Sequence, residues 1–429
     1  MSGFLLALWF ATLSADRLDL AAGQGWFTIP VYLVLTPLLL VLETMRIVGR
    51  GGSFRVPHNL AAYTLVASGF LSVVLVSVFY SYDVAMSAKR FALLVFLVYS
   101  TVMVALMLAQ RDDAREVLVR GAYWGLWLGT FFNLAQLGAW LDRGPADYFL
   151  LGGTLNMTAN SYGPWVPRLS AQALDMNRGG LVTLVYVFIL LRMAPRSRWR
   201  TLAVVAGSLG MIMTLSRSLL LTTMATGAVS ALRRRRFSLS PRRVVGMAVV
   251  TAAVAAVLLA IPRAADAVGS AFEPIAGRFS TSEGSASIHM QLVERGIEIV
   301  TDSPKNALVG IGFGNGFAYL QDIFPGNKYG NFHSLYITLL AECGGLGLLL
   351  GVVLIFYAAA RGGVYQPLIV GIAFFNIFYQ TGTESVFWLA LVLAWTRLGE
   401  QPAGGDAPPA PPEPVRVPGG RLAPAAQHT

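Results

Sequence analysis

The residues best suited to chemistry are a few cations and one histidine set in apolar sequence. Arg217 lies in GMIMTLSRSLLLTTMATG, between two apolar runs. An arginine there costs at least ~2.5 kcal/mol at a bilayer centre and less near an interface. It reads either as a snorkelling or helix-capping side chain or as a cation waiting for an anion, with Ser216 and Ser218 as hydroxyl donors beside it. His333 heads the run HSLYITLLAECGGLGLLLG, where an imidazole can cap a helix or take a proton near neutral pH. Glu342, about 2.5 turns further along, is a costly carboxylate in lipid and is expected to face protein or a cavity. Residues 286–301 carry Ile288, Leu292, Val293, Ile297 and Val300 at helical spacing. The pattern predicts an amphipathic helix whose polar face presents His289, Arg295 and Glu298. The glycines Gly310, Gly312, Gly314 and Gly316 alternate in VGIGFGNG. No GK[ST] follows, so this is not a phosphate-binding P-loop; tight turns and close backbone packing beside a site are expected instead.

Metal chemistry has no sequence support. His58, His289, His333 and His428 are scattered, Cys343 is the single cysteine, and neither HExxH nor CxxC occurs. The elements that must carry these residues are membrane helices. The chain has 429 residues, 55 % apolar and only 13 % charged, with a mean hydropathy of +0.61. A soluble protein of this size needs far more charge to cover its surface. An ordinary cytosolic enzyme, a disordered chain and a groove-reading nucleic-acid binder are thereby excluded. The net charge of +10 is read as a topology signal, with no nucleic-acid partner.

Apolar runs long enough to span a bilayer number about twelve: 4–20, 26–45, 59–80, 91–109, 117–141, 179–194, 201–215, 218–232, 244–262, 333–359, 364–380 and 384–399. The expected fold is an all-α polytopic bundle, because only helices or closed barrels cross lipid. With the amino terminus in the cytoplasm, 20 of the 32 basic residues fall in cytoplasmic segments, with LRRRRFSLSPRR the strongest marker. Both termini are then cytoplasmic, and the polar segments 142–178 and 263–332 face outward. The expected organisation is nine spans in 1–262, a large outer loop at 263–332, three spans in 333–400 and a disordered Pro-rich tail at 401–429. Tyr148, Phe149, Tyr162 and Trp165 are expected either to stack on sugar rings or to form an interfacial aromatic belt.

Four stretches together resemble the O-antigen ligase and O-antigen or exopolysaccharide polymerase family of bacterial envelope glycan enzymes. They are PRLSAQALDMNRGG, TLSRSLLL, the loop GRFSTSEGSASIHMQLVERGIEIVTDSPKNALVGIGFGNG, and HSLYITLLAECGGLGLLL. Met176 replaces an expected proline, His289 stands where many members have arginine, and Ser334 replaces the usual asparagine. The resemblance implies a GT-C-like helical fold in the bacterial inner membrane. It implies glycosyl transfer at the periplasmic face, without metal, nucleotide sugar or other cofactor. The donor would be a glycan on undecaprenyl diphosphate. The acceptor would be a sugar hydroxyl on another lipid-linked repeat (polymerase) or on lipid A core (ligase), with a flippase and export machinery as further partners. Arginines would neutralise the diphosphate leaving group: Arg217 and Arg278 foremost, with Arg168, His289 and Arg295 as further candidates. His333 would be the general base on the acceptor hydroxyl, or would orient it. Polymerase is the first reading and ligase the second. A transporter of the lipid-linked glycan is the reading from another class, but it predicts internal repeats that the sequence does not contain.

Overall fold

The structure, a computed structural model, describes residues 2–13, 15, 30–49, 55–143, 147–150, 153–156, 161–162, 166–233, 284–323 and 331–400. The helices are α1 (Ser2–Ala11), α2 (Val31–Val48), α3 (His58–Phe79), α4 (Val84–Ala109), α5 (Ala114–Arg143), α6 (Met176–Met193), α7 (Arg198–Met213), α8 (Arg217–Arg233), α9 (Gly284–Asp302), α10 (Pro304–Val309), α11 (Gly316–Ile323), α12 (Leu335–Arg361), α13 (Gln366–Phe375) and α14 (Ser385–Thr396). Five of them, α2, α3, α4, α6 and α12, are long and apolar enough to cross a membrane. The chain is a multi-pass helical membrane protein. The expected span 244–262, the loop start at 263–283 and the tail 401–429 lie outside the described residues.

The described helices run up and down between two ends. At one end Arg111 bonds the buried Glu43 of α2 at 3.1 Å, Arg115 bonds the Met193 carbonyl closing α6, and Arg397 bonds the Arg361 carbonyl closing α12. Lone carbonyls at helix C-termini favour such cationic partners. The other end collects the start of α6, the α7–α8 junction, the start of α12 and the turn before α14. Among the described arginines assigned to the cytoplasm from loop charge, Arg111, Arg115 and Arg397 lie at the first end.

Two elements differ from the sequence reading. In the first span, expected over 4–20, residues 14 and 16–20 lie outside the described residues, and the helix α1 ends at Ala11. There the carbonyls of Phe10, Ala11 and Leu13 accept from Tyr186 Oη and Gln172 Nε2, so partners from α6 and the preceding loop close the helix. The polar segment 142–178 holds two short antiparallel hairpins, Asp147–Leu150 (β1) with Gly153–Asn156 (β2) and Ser161–Tyr162 (β3) with Val166–Pro167 (β4). Tyr148 and Phe149 lie on β1 and Tyr162 on β3; Trp165 lies outside the described residues. The end of this segment docks onto α5, where Asn133 Oδ1 and Gln136 Oε1 accept from the Ala171 and Ser170 N–H groups at 2.8 and 3.2 Å.

The apolar run headed by His333 is not one continuous helix. Gly344 has φ 66° and ψ −170°, which breaks α12 after its first turns. A broken helix in a membrane leaves carbonyls that must find donors within the protein. The glycine loop supplies them: Ile311 N–H donates to Ala341 O and Gly312 N–H to Glu342 O, both at 3.0 Å. The Glu342 carboxylate, 3 % exposed, accepts from Gly314 N–H at 2.8 Å and Gly316 N–H at 2.9 Å. The chains touch backbone to backbone, so a Cβ on Gly344 would lie 2.2 Å from Leu308 C and one on Gly310 would lie 2.3 Å from Glu342 C. The expected close packing of the alternating glycines and the expected burial of Glu342 in protein are the same feature.

Gly344→Ala is expected to lower the melting temperature of the detergent-purified protein. The left-handed φ alone costs about 1–3 kcal/mol in a residue with a side chain, before the backbone collision is counted. Gly69→Ala, where a Cβ meets nothing within 4 Å, is the control and is expected to be neutral or slightly stabilising.

Candidate active site

The glycine loop sets α9 against the start of α12. Leu292 and Ile299 of α9 pack with Ile311, Leu320, Phe332 and Ala341 in a small cluster separate from the main core. Gly296 lets α9 close in, since a Cβ there would lie 2.3 Å from Ile337 of α12. His289 is two turns before Gly296 on the same stripe. Its ring therefore meets His333, with centroids 4.7 Å apart and planes at 72°.

His333 is held in an unusual backbone state. Its φ is 50°, left-handed for a residue with a side chain. The Asn331 Oδ1 accepts its N–H at 2.8 Å, and the next residue, Ser334, caps α12 while its hydroxyl donates to the Asn376 carbonyl at 3.2 Å. Two more non-glycine residues with positive φ, Ala171 and Leu215, precede the other site segments. Strain of this kind, about 1 kcal/mol or more each, persists only where the surroundings over-determine the backbone.

The cations arrive from the α7–α8 junction. Ser216 Oγ accepts from Leu219 N–H at 3.2 Å and donates to Asn177 Oδ1 at 2.6 Å. It lies 3.0 Å from Ser218 Oγ. These hydroxyls therefore serve the start of α8 and its contact with α6. Arg217 is the first residue of α8, where the helix dipole disfavours a cation but favours an anion. Arg168 reaches the same junction, its Nε donating to the Thr214 carbonyl at 3.0 Å. The Arg217 charge is felt at His289.

Electrostatics in this group oppose further positive charge. Burial lowers the His333 pKa, the neighbouring His289 lowers it further, and Asp175 acts in the opposite sense; the net value is about 4. His289 is also held below the ordinary histidine range, first by burial and then by Arg217. Both rings are neutral near pH 7. The arrangement can accept an anion at Arg217 and Arg168 and a proton at His333. Among the described residues no group of three or more His, Cys, Asp or Glu side chains is placed to hold a metal ion.

Not every expected residue joins this group. Arg295 pairs with Glu298 on the exposed side of α9, their side chains 43 % and 59 % accessible. It lies about 120° around the helix from His289 at 100° per residue. His289 therefore does not share a polar face with Arg295 and Glu298. It sits beside the buried stripe, while the apolar Met290 and Ile297 are exposed. Arg278 lies outside the described residues. The structure adds residues that sequence reasoning missed. Asp175 caps α6, accepting from the N–H groups of Asn177 and Arg178 at 2.9 Å, and takes a hydrogen bond from Tyr379 Oη at 3.0 Å. Arg178 pairs with Glu384 at 2.6 Å. Asp175 and Arg178 lie in the motif stretch LDMNRGG, but their partners lie about 200 residues away.

A helical membrane protein with a basic, histidine-bearing site at one end of the bundle is the class that fold and site define. Residues 202–352, from α7 into α12, match the protein-family model described as O-antigen ligase. This stretch contains Arg217, Arg278, His289, Arg295 and His333, and leaves Arg168 and Asp175 outside. A comparison with curated proteins finds no match.

Histidine signals from the selectively labelled protein are expected to show His333 titrating near pH 4, well below an unperturbed histidine at about 6.5. The folded-state value is depressed, so the unfolded chain binds more protons below pH 6.5. Stability is then full above about pH 6.5 and is lost as pH falls toward 4. His333→Gln is expected to reduce that acid lability in denaturation curves taken between these limits.

Proposed function

We propose that the protein transfers a glycan from undecaprenyl diphosphate to a sugar hydroxyl at the periplasmic face of a bacterial inner membrane, and that it acts as a polymerase of a surface polysaccharide. The observation that carries this reading is the meeting of Arg217, His289 and His333 at one end of the bundle, within the stretch that matches the O-antigen ligase family model. The arginine-rich end opposite supports placing both termini in the cytoplasm and the site outside.

In this mechanism Arg217, with Arg168 and Arg278, binds the diphosphate through charge-assisted hydrogen bonds. Negative charge develops on the leaving diphosphate as the glycosidic C–O bond breaks, and the guanidinium groups stabilise it. The acceptor hydroxyl attacks the anomeric carbon, and His333 takes its proton. A neutral imidazole is ready for that step at pH 7. Arrival of the anionic donor offsets the positive field from Arg217 and raises the proton affinity of His333.

The test is complementation of a strain lacking the gene, with sizing of lipid-linked and surface glycan. Wild type is expected to clear accumulated single lipid-linked repeats. His333→Ala is expected to lower transfer about 10²–10⁴-fold and Arg217→Ala about 10²–10³-fold. Accumulation of full-length lipid-linked chains beside bare lipid A core identifies a ligase. Full rescue by both variants overturns the site and returns the transporter reading.

A further inference from the structure

Asp175, at the cap of α6, is a carboxylate that acts electrostatically on His333 and that the mechanism above does not use. Asp175 Oδ1 takes three hydrogen bonds, from Asn177 N–H, Arg178 N–H and Tyr379 Oη. Oδ2 accepts none among the described residues. Three donors on one oxygen fix the plane of the carboxylate and leave its second oxygen available. Tyr379 also ties Asp175 to the histidine, because its own carbonyl accepts from Leu335 N–H, two residues after His333, at 3.2 Å. One tyrosine thus spans from the cap of α6 to the first residue of α12.

The charges around His333 explain why such a carboxylate is needed. His289 faces it from α9, with Arg217 of α8 behind. Asp175 acts from the start of α6. The Arg178–Glu384 pair and Tyr379 lie in the same network, and Tyr336 follows on α12. A base that accepts a proton becomes a cation, and burial beside a second histidine and an arginine opposes that cation. Arg178 compensates Glu384, which leaves Asp175 as the carboxylate of this network able to answer the imidazolium. Burial and the neighbouring Asp175 and Glu384 hold the Tyr379 phenol well above its usual range, so it stays a hydrogen-bond donor.

We propose that Asp175, locked by Tyr379, is a positioning residue that supports the positive charge His333 acquires when it takes the acceptor proton. This rests on the reading of His333 as the base. In the proton-transfer step the acceptor O–H bond breaks, an N–H bond forms on the imidazole, and the Asp175 carboxylate keeps its charge throughout.

Two readouts on the full-length protein in detergent separate this proposal from the reading beneath it. The first follows the His333 titration by NMR of labelled histidine, without substrate. Asp175→Asn keeps an oxygen for the α6 cap and removes the charge. It is expected to move the His333 titration about one pH unit or more lower. The second is the pH–rate profile with a lipid-diphosphate glycan donor. There Asp175→Asn is expected to lower kcat at least ~10-fold, the equivalent of one pKa unit, with the acceptor KM unchanged. Tyr379→Phe, which leaves both cap hydrogen bonds intact, is expected to lower kcat without changing KM, and guards against misfolding of the first variant. An unmoved His333 titration in a folded Asp175→Asn protein overturns the proposal. So does a raised acceptor KM at unchanged kcat, which would make Asp175 a ligand contact. Wild-type transfer by His333→Ala overturns the base assignment instead, and the NMR titration still reads the coupling by itself.

Discussion

A carboxylate and a helix break share one solution in this protein. Glu342 is buried near the start of an apolar helix, and two residues later Gly344 interrupts that helix. Each feature alone would leave polar groups unmet in a low-dielectric interior, at a cost of several kcal/mol. The loop carrying Gly310 to Gly316 meets both, because its N–H groups serve the carbonyls at the break and the carboxylate beside it. Side chains on that loop would hold the backbones apart. Everything around the site is referenced to this contact. The loop fixes α10 and α11, the small cluster through Phe332 fixes α9, and the turn at His333 follows directly from Phe332.

The site built on that frame is basic, partly buried and strained. Arg217 sits where helix geometry favours an anion, at the start of α8, and both histidines are pushed toward the neutral form by burial, His333 further by His289 and His289 further by Arg217. On the proposed function, an anionic donor bound there would offset the positive field and raise the basicity of the histidines. The left-handed residues Ala171, Leu215 and His333 mark three separate chain segments that converge there. Their N–H groups are held by Asn133 Oδ1 of α5, the Ile212 carbonyl at the end of α7 and Asn331 Oδ1 in the turn before α12, so the strain is distributed over the junctions between helices.

The long helices themselves are simpler. They alternate direction, and the arginines near their far ends close lone carbonyls and bind Glu43. One set of residues therefore caps helices and places positive charge at one end of the bundle. The candidate site lies at the opposite end, where helix N-termini at α6, α8 and α12 come together.

Hydropathy and residue pattern alone were enough for the membrane class, for α3, α6, α7 and α8 to within a few residues, and for the close packing of the glycine run. These are local properties: hydropathy over a span and an alternating glycine pattern. Which face of α9 turns inward was decided only by tertiary structure. In a membrane protein both lipid and core are apolar, so a hydrophobic stripe does not say which of the two it meets. Packing buries Leu292, Gly296 and Ile299 and leaves Ile297 outside. The break at Gly344, the closing of α1 at Ala11, and the Asp175–Tyr379 and Arg178–Glu384 pairs were likewise tertiary. Each depends on a partner distant in the chain, and no local pattern of residue types encodes which helix ends will meet.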